Sequence, residues 1–361
     1  MDRTTEYAKL IVSGKRICGH SEYLACRRHL DDMKNKDLEF TFDAKEAERH
    51  IDIANTLVIG EGVEQARLQT RGFQNFVIGS LHGWRRKRSK HLRFREAYIQ
   101  WGRQNGKSFT AGSEANDRAT FSGYNFGRIF CTATKQEQAN IVWDEVAKFL
   151  NSDPDLKGLY KMRQYDRTIK SLVTGTIIKA IGRDTKSADG FRTILAIVDE
   201  YHAHPTNQMY KLMLDGQQNV DNALTLAITT AGFDLNGPCY QQYLFAKKVL
   251  SGAIRKDSLF IHICEMDDDD DIWDPDNWLK ANPLNLWADD LTPDKTKIAR
   301  MAEKAIDAKE KQGAELVNFL TKSLNRWVTY TGGAFIDAEH WRNCGSDTAL
   351  ANLRRTECYL G

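Results

Sequence analysis

Three short segments of this 361-residue chain hold residues whose types and order suit phosphate chemistry. The first is Trp101-Gly102-Arg103-Gln104-Asn105-Gly106-Lys107-Ser108. A loop that grips phosphate needs backbone N–H groups aimed at it, a glycine where the chain passes close, and a helix N-terminus beneath. It also needs a lysine to neutralise charge and a hydroxyl to hold Mg²⁺. Gly106, Lys107 and Ser108 supply the glycine, the lysine and the hydroxyl. The usual spacing asks for another glycine at position 101, where this chain has Trp101 and places Gly102 one residue late. Taken alone, the segment reads more simply as a Gly-Lys-Ser turn entering a helix.

A second segment changes that balance. Thr193-Ile-Leu-Ala-Ile-Val-Asp-Glu200 is a continuous apolar run ending in two carboxylates. Such a run suits a central parallel strand, covered on both faces. At its tip Asp199 can hold the Mg²⁺ shell, while Glu200 orients and deprotonates an attacking water. A buried strand ending in a solvated acid pair is the competing explanation, and Gly106-Lys107-Ser108 upstream favours the phosphate site. The third segment, Leu224 to Ala231, ends in Thr229 and Thr230, which can sense a terminal phosphate and relay its loss. Threonine is also common in strands, so this segment adds little by itself.

The elements that must position these residues are legible as alternating periods. Phe94–Trp101, Gly127–Thr134, Thr174–Ile181, Thr193–Val198 and Ala223–Thr229 predict strands, and Phe109 onward and Lys135–Leu150 predict helices. Strands alternating with helices predict a mainly parallel α/β sheet flanked by helices. Residues 1 to 64 read as a helical N-terminal segment and 65–235 as the sheet-bearing core. Residues 236–350, with Trp273, Trp278, Trp287 and Trp327, read as a smaller, mostly helical subdomain.

Composition excludes several classes. Hydrophobic residues make up 41% and charged residues 28%, as in a globular domain, and no apolar run is long enough to span a membrane. The N-terminus has no signal-peptide core, so a cytoplasmic chain is expected. Seven cysteines, an odd number scattered along the chain, argue against a disulfide framework. Cys18, His20, Cys26 and His29 lack the close cysteine pair of structural zinc sites and read as part of a helix. The net charge of +2 does not mark a nucleic-acid binder. A solvated loop is the plain reading open to both the basic run Trp84–His91 and the five aspartates Asp267–Asp271, and it is the better one for the aspartates.

Taken as an ordered set, the three segments resemble the large terminase subunits of tailed bacteriophages. In that family the loop runs Arg-x-Asn/Gln-Gly-Lys-Ser/Thr without the leading glycine, and Arg103–Ser108 fits. Gly72-Phe-Gln-Asn-Phe76 with His82-Gly-Trp-Arg85 looks like the upstream adenine-reading segment. Arg95–Tyr98, Cys131–Lys135, Asp199–His202, Thr229–Ala231, Lys280-Ala-Asn-Pro283 and Leu324-Asn-Arg-Trp327 follow in the family's order. The resemblance implies a RecA-like P-loop fold and an Mg²⁺-dependent ATPase that drives double-stranded DNA into a procapsid in the host cytoplasm. It makes Arg103, Gln104, Asn105, Gly106, Lys107 and Ser108 ATP-binding residues, with Gln74 reading adenine. Ser108 and Asp199 would hold the metal, Glu200 would be catalytic, and Thr229 and Thr230 would couple. It also implies a portal protein and a small terminase subunit as partners, and a ring assembled on the portal from chains that are monomeric alone. An arginine finger from a neighbouring subunit would be Arg183 or Arg192.

Family members continue into a nuclease domain. Residues 351–361 look like the opening of its first strand, with no catalytic carboxylate set reached and Asp337 a poor substitute. The expectation is an ATPase half alone, without nuclease activity. Two alternatives remain: a helicase-like or other DNA-remodelling ATPase, and a scaffold with a degenerate loop. The first lacks room for a second RecA-like domain, and intact Lys107, Ser108, Asp199 and Glu200 argue against the second.

Overall fold

The computed structural model describes residues 1–59, 66–182 and 192–329. Met1–Val328 form one compact unit and Thr329–Gly361 another, of which Thr329 alone is described. The first unit opens with α1 (Arg3–Val12), α2 (His20–Lys34), β1 (Phe40–Phe42), α3 (Ala44–Thr56), β2 (Val58–Ile59), β3 (Ala66–Arg67), α4 (Gly72–Gly83) and β4 (Trp84–Arg86). Next come β5 (Glu96–Gln100), α5 (Lys107–Thr120), β6 (Arg128–Ala133), α6 (Gln136–Ser152), α7 (Pro154–Lys157), β7 (Tyr160–Arg163) and β8 (Thr168–Ser171). They are followed by β9 (Ile177–Gly182), β10 (Thr193–Val198), α8 (Gln208–Asp215) and β11 (Leu224–Thr229). The unit closes with α9 (Pro238–Leu250), β12 (Leu259–Ile263), α10 (Pro275–Ala281), α11 (Lys295–Lys311) and α12 (Gly313–Asn318).

Eight strands form one sheet in the order β12-β5-β11-β10-β6-β9-β8-β7. The six from β12 to β9 run parallel, and β8 and β7 add an antiparallel hairpin at one edge. This is the expected α/β architecture. β10 and β11 are buried at every position, as strands covered on both faces must be. The period of two sorts their side chains. Ile129, Cys131, Leu195 and Ile197 join Ala111, Ala115 and Val142 of α5 and α6 in the main core. Phe130 and Ala196 instead pack with Met209 and Met213 of α8. A second small core gathers Trp278, Trp287, Met301 and Phe319, the helical subdomain that the sequence announced.

Three features depart from the sequence expectation. β12 carries the sheet past residue 235, pairing with β5 from Leu259↔Glu96 to Ile263↔Gln100. The basic run is loop only from Lys87 onward; Trp84–Arg86 is a strand paired with β1, Trp84 is buried, and Arg85 meets Glu46 at 2.9 Å. Nor is the acidic run fully solvated: Lys280 Nζ reaches Asp267 at 3.0 Å and Asp270 at 2.6 Å. An ammonium close to both relieves the repulsion between neighbouring carboxylates. Among the described residues no helix is long and apolar enough to cross a membrane.

One side chain ties three strand ends together. Asn325, fully buried and left-handed at φ 53°, follows a π-helical turn at Phe319–Ser323. Its Nδ2 donates to Gln100 O at 3.2 Å and to Cys264 O at 2.7 Å, and its Oδ1 accepts from Ala231 N at 2.7 Å. Truncation takes this partner from Cys264 O and Ala231 N, each worth about 1–3 kcal/mol, while Gln100 O keeps Cys264 N at 3.0 Å. Asn325→Ala should therefore lose about 3 kcal/mol in urea denaturation followed by tryptophan fluorescence, whereas a loss below about 0.5 kcal/mol would show that the three contacts are dispensable.

Candidate nucleotide site

Parallel sheets place ligands at the carboxyl ends of their strands. Here Gln100, Thr229 and Ile263 share one register line, and Val198 stands opposite Ala227 and Thr132, so the ends of β5, β11, β10 and β6 form one edge. Trp101 directly follows β5 and stays tied to β11: its N–H donates to Thr229 O at 3.1 Å. Its indole is buried, donates to His262 Nδ1 at 2.8 Å and meets Phe73 edge-on. Position 101 faces the core rather than the loop and has no need of glycine. The loop begins at Gly102.

That loop is held by residues distant in sequence. Arg103 N donates to Lys322 O at 2.8 Å. Asn105, fully buried, accepts at Oδ1 from the N–H groups of Leu284 and Asn285 at 3.1 Å each, and its Nδ2 donates to Arg103 O and Asn282 Oδ1. Its side chain braces the loop against the Asn282–Asn285 segment. Gln104 and Gly106 are left-handed at φ 63° and 76°. The left-handed backbone at Gly106 favours glycine, and a Cβ there would sit tightly against Gln74 Nε2 at 3.1 Å. Gly106 caps α5, whose first N–H groups have no intrahelical partner and form a ready anion site. Ser108 lies half-buried in that first turn. Gln74 sits beneath it, accepting from Arg71 N at 3.0 Å and donating to Thr110 Oγ1 at 3.1 Å. Arg103 and Gln104 are exposed and line a cleft of about 640 Å³ with Lys297, Arg300, Lys304 and Lys322.

Lys107 is 8% exposed, and its Nζ donates to Trp101 O at 3.0 Å and Gly102 O at 3.1 Å. Burial lowers its pKa against the pull of Glu200 and Asp199, the two carboxylates whose charges reach it. Asp199, 3% exposed, is pushed up to about 7 by burial and then by the neighbouring Glu200 charge. Its Oδ1 accepts from Glu200 N at 2.8 Å, and its carbonyl meets His204 Nε2 at 3.1 Å. Glu200 is left-handed at φ 46°, a strained conformation for a residue with a Cβ, which breaks the strand and returns the chain over the tips.

The structure adds a residue to which the sequence reading gave no role. His202 N donates to Thr229 Oγ1 at 3.0 Å, while its Nδ1 lies 3.1 Å from both Glu200 Oε2 and Thr229 Oγ1 and 3.4 Å from Thr230 Oγ1. The Thr229 hydroxyl gives its proton to Thr230 O, so it accepts from the ring and selects the Nδ1–H tautomer, with Glu200 alongside as a charge contact. Burial lowers the pKa of His202 and favours the neutral ring, although Glu200 opposes this. Thr229 Oγ1 in turn donates to Thr230 O at 2.8 Å. Glu200, His202, Thr229 and Thr230 therefore form one connected group across the tips of β10 and β11.

Of the two arginines expected from a neighbour's site, Arg183 lies outside the described residues. Arg192 is exposed and directly precedes β10. It stands at the opposite end of that strand from Asp199, about 20 Å away at the usual rise, and cannot reach its own chain's site.

Comparison with known proteins places this geometry. Residues 72–248 match the family "Terminase large subunit, ATPase domain", and residues 253–361 match "Terminase large subunit, endonuclease domain". The second match overturns the expectation that the chain is an ATPase half without nuclease sequence. That expectation rested on a missing carboxylate set and placed the nuclease border at 351, whereas the likeness begins at 253. Protein YmfN of Escherichia coli (strain K12) is 34% identical over 160 residues, 44% of this chain and 33% of the relative. The large terminase subunit of Enterobacteria phage HK97 is 27% identical over 223 residues, 60% of this chain and 41% of the relative. The chain thus spans 33% and 41% of the length of these curated relatives. The crystal structure of the HK97 bacteriophage large terminase shares the fold, with a TM-score of 0.64 at 22% identity, over 83% of this chain and 58% of that one.

The raised value at Asp199 has a measurable consequence. An unfolded aspartate titrates near 3.9, so between there and about 7 the folded chain binds the extra proton and stability falls as pH rises. Asp199→Asn removes that dependence while keeping the acceptor for Glu200 N. In EDTA the variant's melting temperature should exceed that of the natural chain by a margin that widens from about pH 5 to about pH 7 and then levels. Parallel curves would contradict the burial assigned to Asp199.

Proposed function

This chain carries the ATPase domain of the terminase large-subunit family, and from that premise we propose that it hydrolyses ATP to move double-stranded DNA into a viral procapsid. The observation that carries the proposal is the meeting of one buried lysine, one helix N-terminus and two carboxylates at a single sheet edge. In this reading the α5 N-terminus and the Gly106 turn take the β- and γ-phosphates, and Lys107 adds a full positive charge beside them. The Ser108 hydroxyl and the Asp199 carboxylate are oxygen donors of the kind Mg²⁺ takes, and the raised pKa of Asp199 fits a carboxylate that a cation would relieve. Bound there, Mg²⁺ would neutralise charge developing on the phosphates.

Glu200 orients the attacking water and accepts its proton at a carboxylate oxygen. His202 lies beside that carboxylate and joins it to Thr229 and Thr230, so a change at the terminal phosphate reaches β11. Arg103 and Gln104 extend the phosphate-binding surface, Asn105 keeps the loop shaped, and Gln74 supports it from beneath. Double-stranded DNA, a portal protein and a small terminase subunit are the proposed partners. A ring on the portal would bring Arg192 or Arg183 of one subunit to the next subunit's ATP.

Glu200→Gln should still bind ATP, seen as an ATP-dependent rise in melting temperature, but turn over about 10²–10⁴-fold more slowly. Lys107→Ala should lose that ATP-dependent rise, with unliganded stability unchanged or higher because a desolvated charge has gone. Full turnover by the first variant, or an unchanged ATP shift in the second, would refute the assignment.

An arginine supplied in trans can be worth about 10³–10⁵ in turnover. Specific activity should then rise with protein concentration. Glu200→Gln chains mixed with Arg192→Ala or Arg183→Ala chains should regain activity. Constant specific activity with no complementation by either arginine would establish a self-sufficient monomer.

A further inference from the structure

Behind the phosphate loop, α3, α4 and α5 converge on a buried group that ATP chemistry does not use. His50 of α3 and His82 of α4 stack with ring centroids 3.7 Å apart and planes 15° from parallel. Both aim a nitrogen at the same oxygen of α5: His50 Nδ1 contacts Asp117 Oδ2, and His82 Nε2 lies 3.6 Å from it. His82 Nε2 is also 2.8 Å from Glu114 Oε2. One ligand atom each from His50, His82 and Asp117 falls within 4.8 Å of the others. All four residues are buried.

Two features ask for a cation. Two carboxylates are buried here against a single fixed charge, Arg118, which pairs with Glu114 at 2.5 Å. Asp117 is 4% exposed, and its Oδ1 is buried with no hydrogen-bond partner. A carboxyl oxygen left bare in a core is costly, and metal ligation is one of the few ways to satisfy it.

We propose that His50, His82 and Asp117, with Glu114 beside them, bind one divalent transition-metal ion of the Zn²⁺ class, which ties the N-terminal helices α3 and α4 to α5. Two imidazoles and a carboxylate are ligands of the kind that ion takes, and Glu114 lies beside them on His82 Nε2 at 2.8 Å. Asp117 stands ten residues beyond Lys107 on α5, about 15 Å along the helix, so the ion would steady the rod that carries the phosphate loop without touching nucleotide.

The whole chain, purified without chelator, stripped with EDTA and titrated with Co²⁺, tests this. We expect one equivalent bound, a visible absorption typical of four-coordinate Co²⁺ with nitrogen and oxygen ligands, and displacement by Zn²⁺ with a rise in melting temperature. The band should vanish in His82→Gln and Asp117→Asn while the ATP-dependent melting shift remains. Absence of any band at saturating Co²⁺ would overturn the proposal, as would its survival in both variants. So would a thiolate charge-transfer band, which would place the ion at the other buried cluster, Glu22, His262 and Cys264. If a variant fails to fold, X-ray absorption of the Zn²⁺-loaded natural chain decides: two imidazoles and no sulfur support the site, and any sulfur ligand refutes it.

Discussion

A buried ammonium must find charge or dipoles to replace its water, and the site in this chain is organised around that demand at Lys107. Two backbone carbonyls hold Nζ from below, Trp101 O and Gly102 O, just beyond the end of β5. Two carboxylates answer it electrostatically, Asp199 and Glu200, brought to the same edge because β11 sits between β5 and β10 in register. The same closeness pushes Asp199 up to about 7, since two acids and little water cannot both stay charged cheaply. Lysine, acids and helix terminus are thus poised by mutual need, and a polyanion bound with a cation satisfies all of them together.

From that centre the remaining contacts run outward through a few polar side chains that cross between elements. Glu200 reaches β11 through His202, and β11 reaches the Leu324–Trp327 segment through Ala231 N on Asn325. Trp327 closes the path with its indole on Gln100 Oε1 at 3.0 Å, at the end of the strand that leads into the loop. Loop, acid pair, threonine tips and the end of the helical subdomain therefore share one hydrogen-bonded surface. Such a surface has the connectivity a motor needs to turn the state of a phosphate into movement of neighbouring elements.

What the sequence made legible follows from how each signal is encoded. β10 and β11 are unbroken apolar runs, and burial on both faces leaves no other reading. Gly106-Lys107-Ser108 is read because the chemistry demands those side chains. Asn105 and Asn325 carry no such mark: their worth lies in partners nearly 180 and 225 residues away, visible only once the chain is folded. β12 is hard to read because it is short and carries His262, which reads as polar until Trp101 is found donating to it. His202 stood in a quoted motif without a role, since proximity to Glu200 depends on the left-handed turn at that residue. The nuclease likeness is legible in the sequence only at its end, residues 351–361, whereas the family match begins at residue 253.

The central claim is that one Mg²⁺–ATP site lies at the ends of β5, β10 and β11, and a structure of the chain with ADP, aluminium fluoride and Mg²⁺ tests it most directly. The account predicts phosphate oxygens on the N–H groups of Gly106, Lys107 and Ser108, the metal between Ser108 and Asp199, and Glu200 facing the water opposite the leaving oxygen. Nucleotide bound away from the α5 N-terminus, or a metal shell that excludes both Ser108 and Asp199, would contradict it.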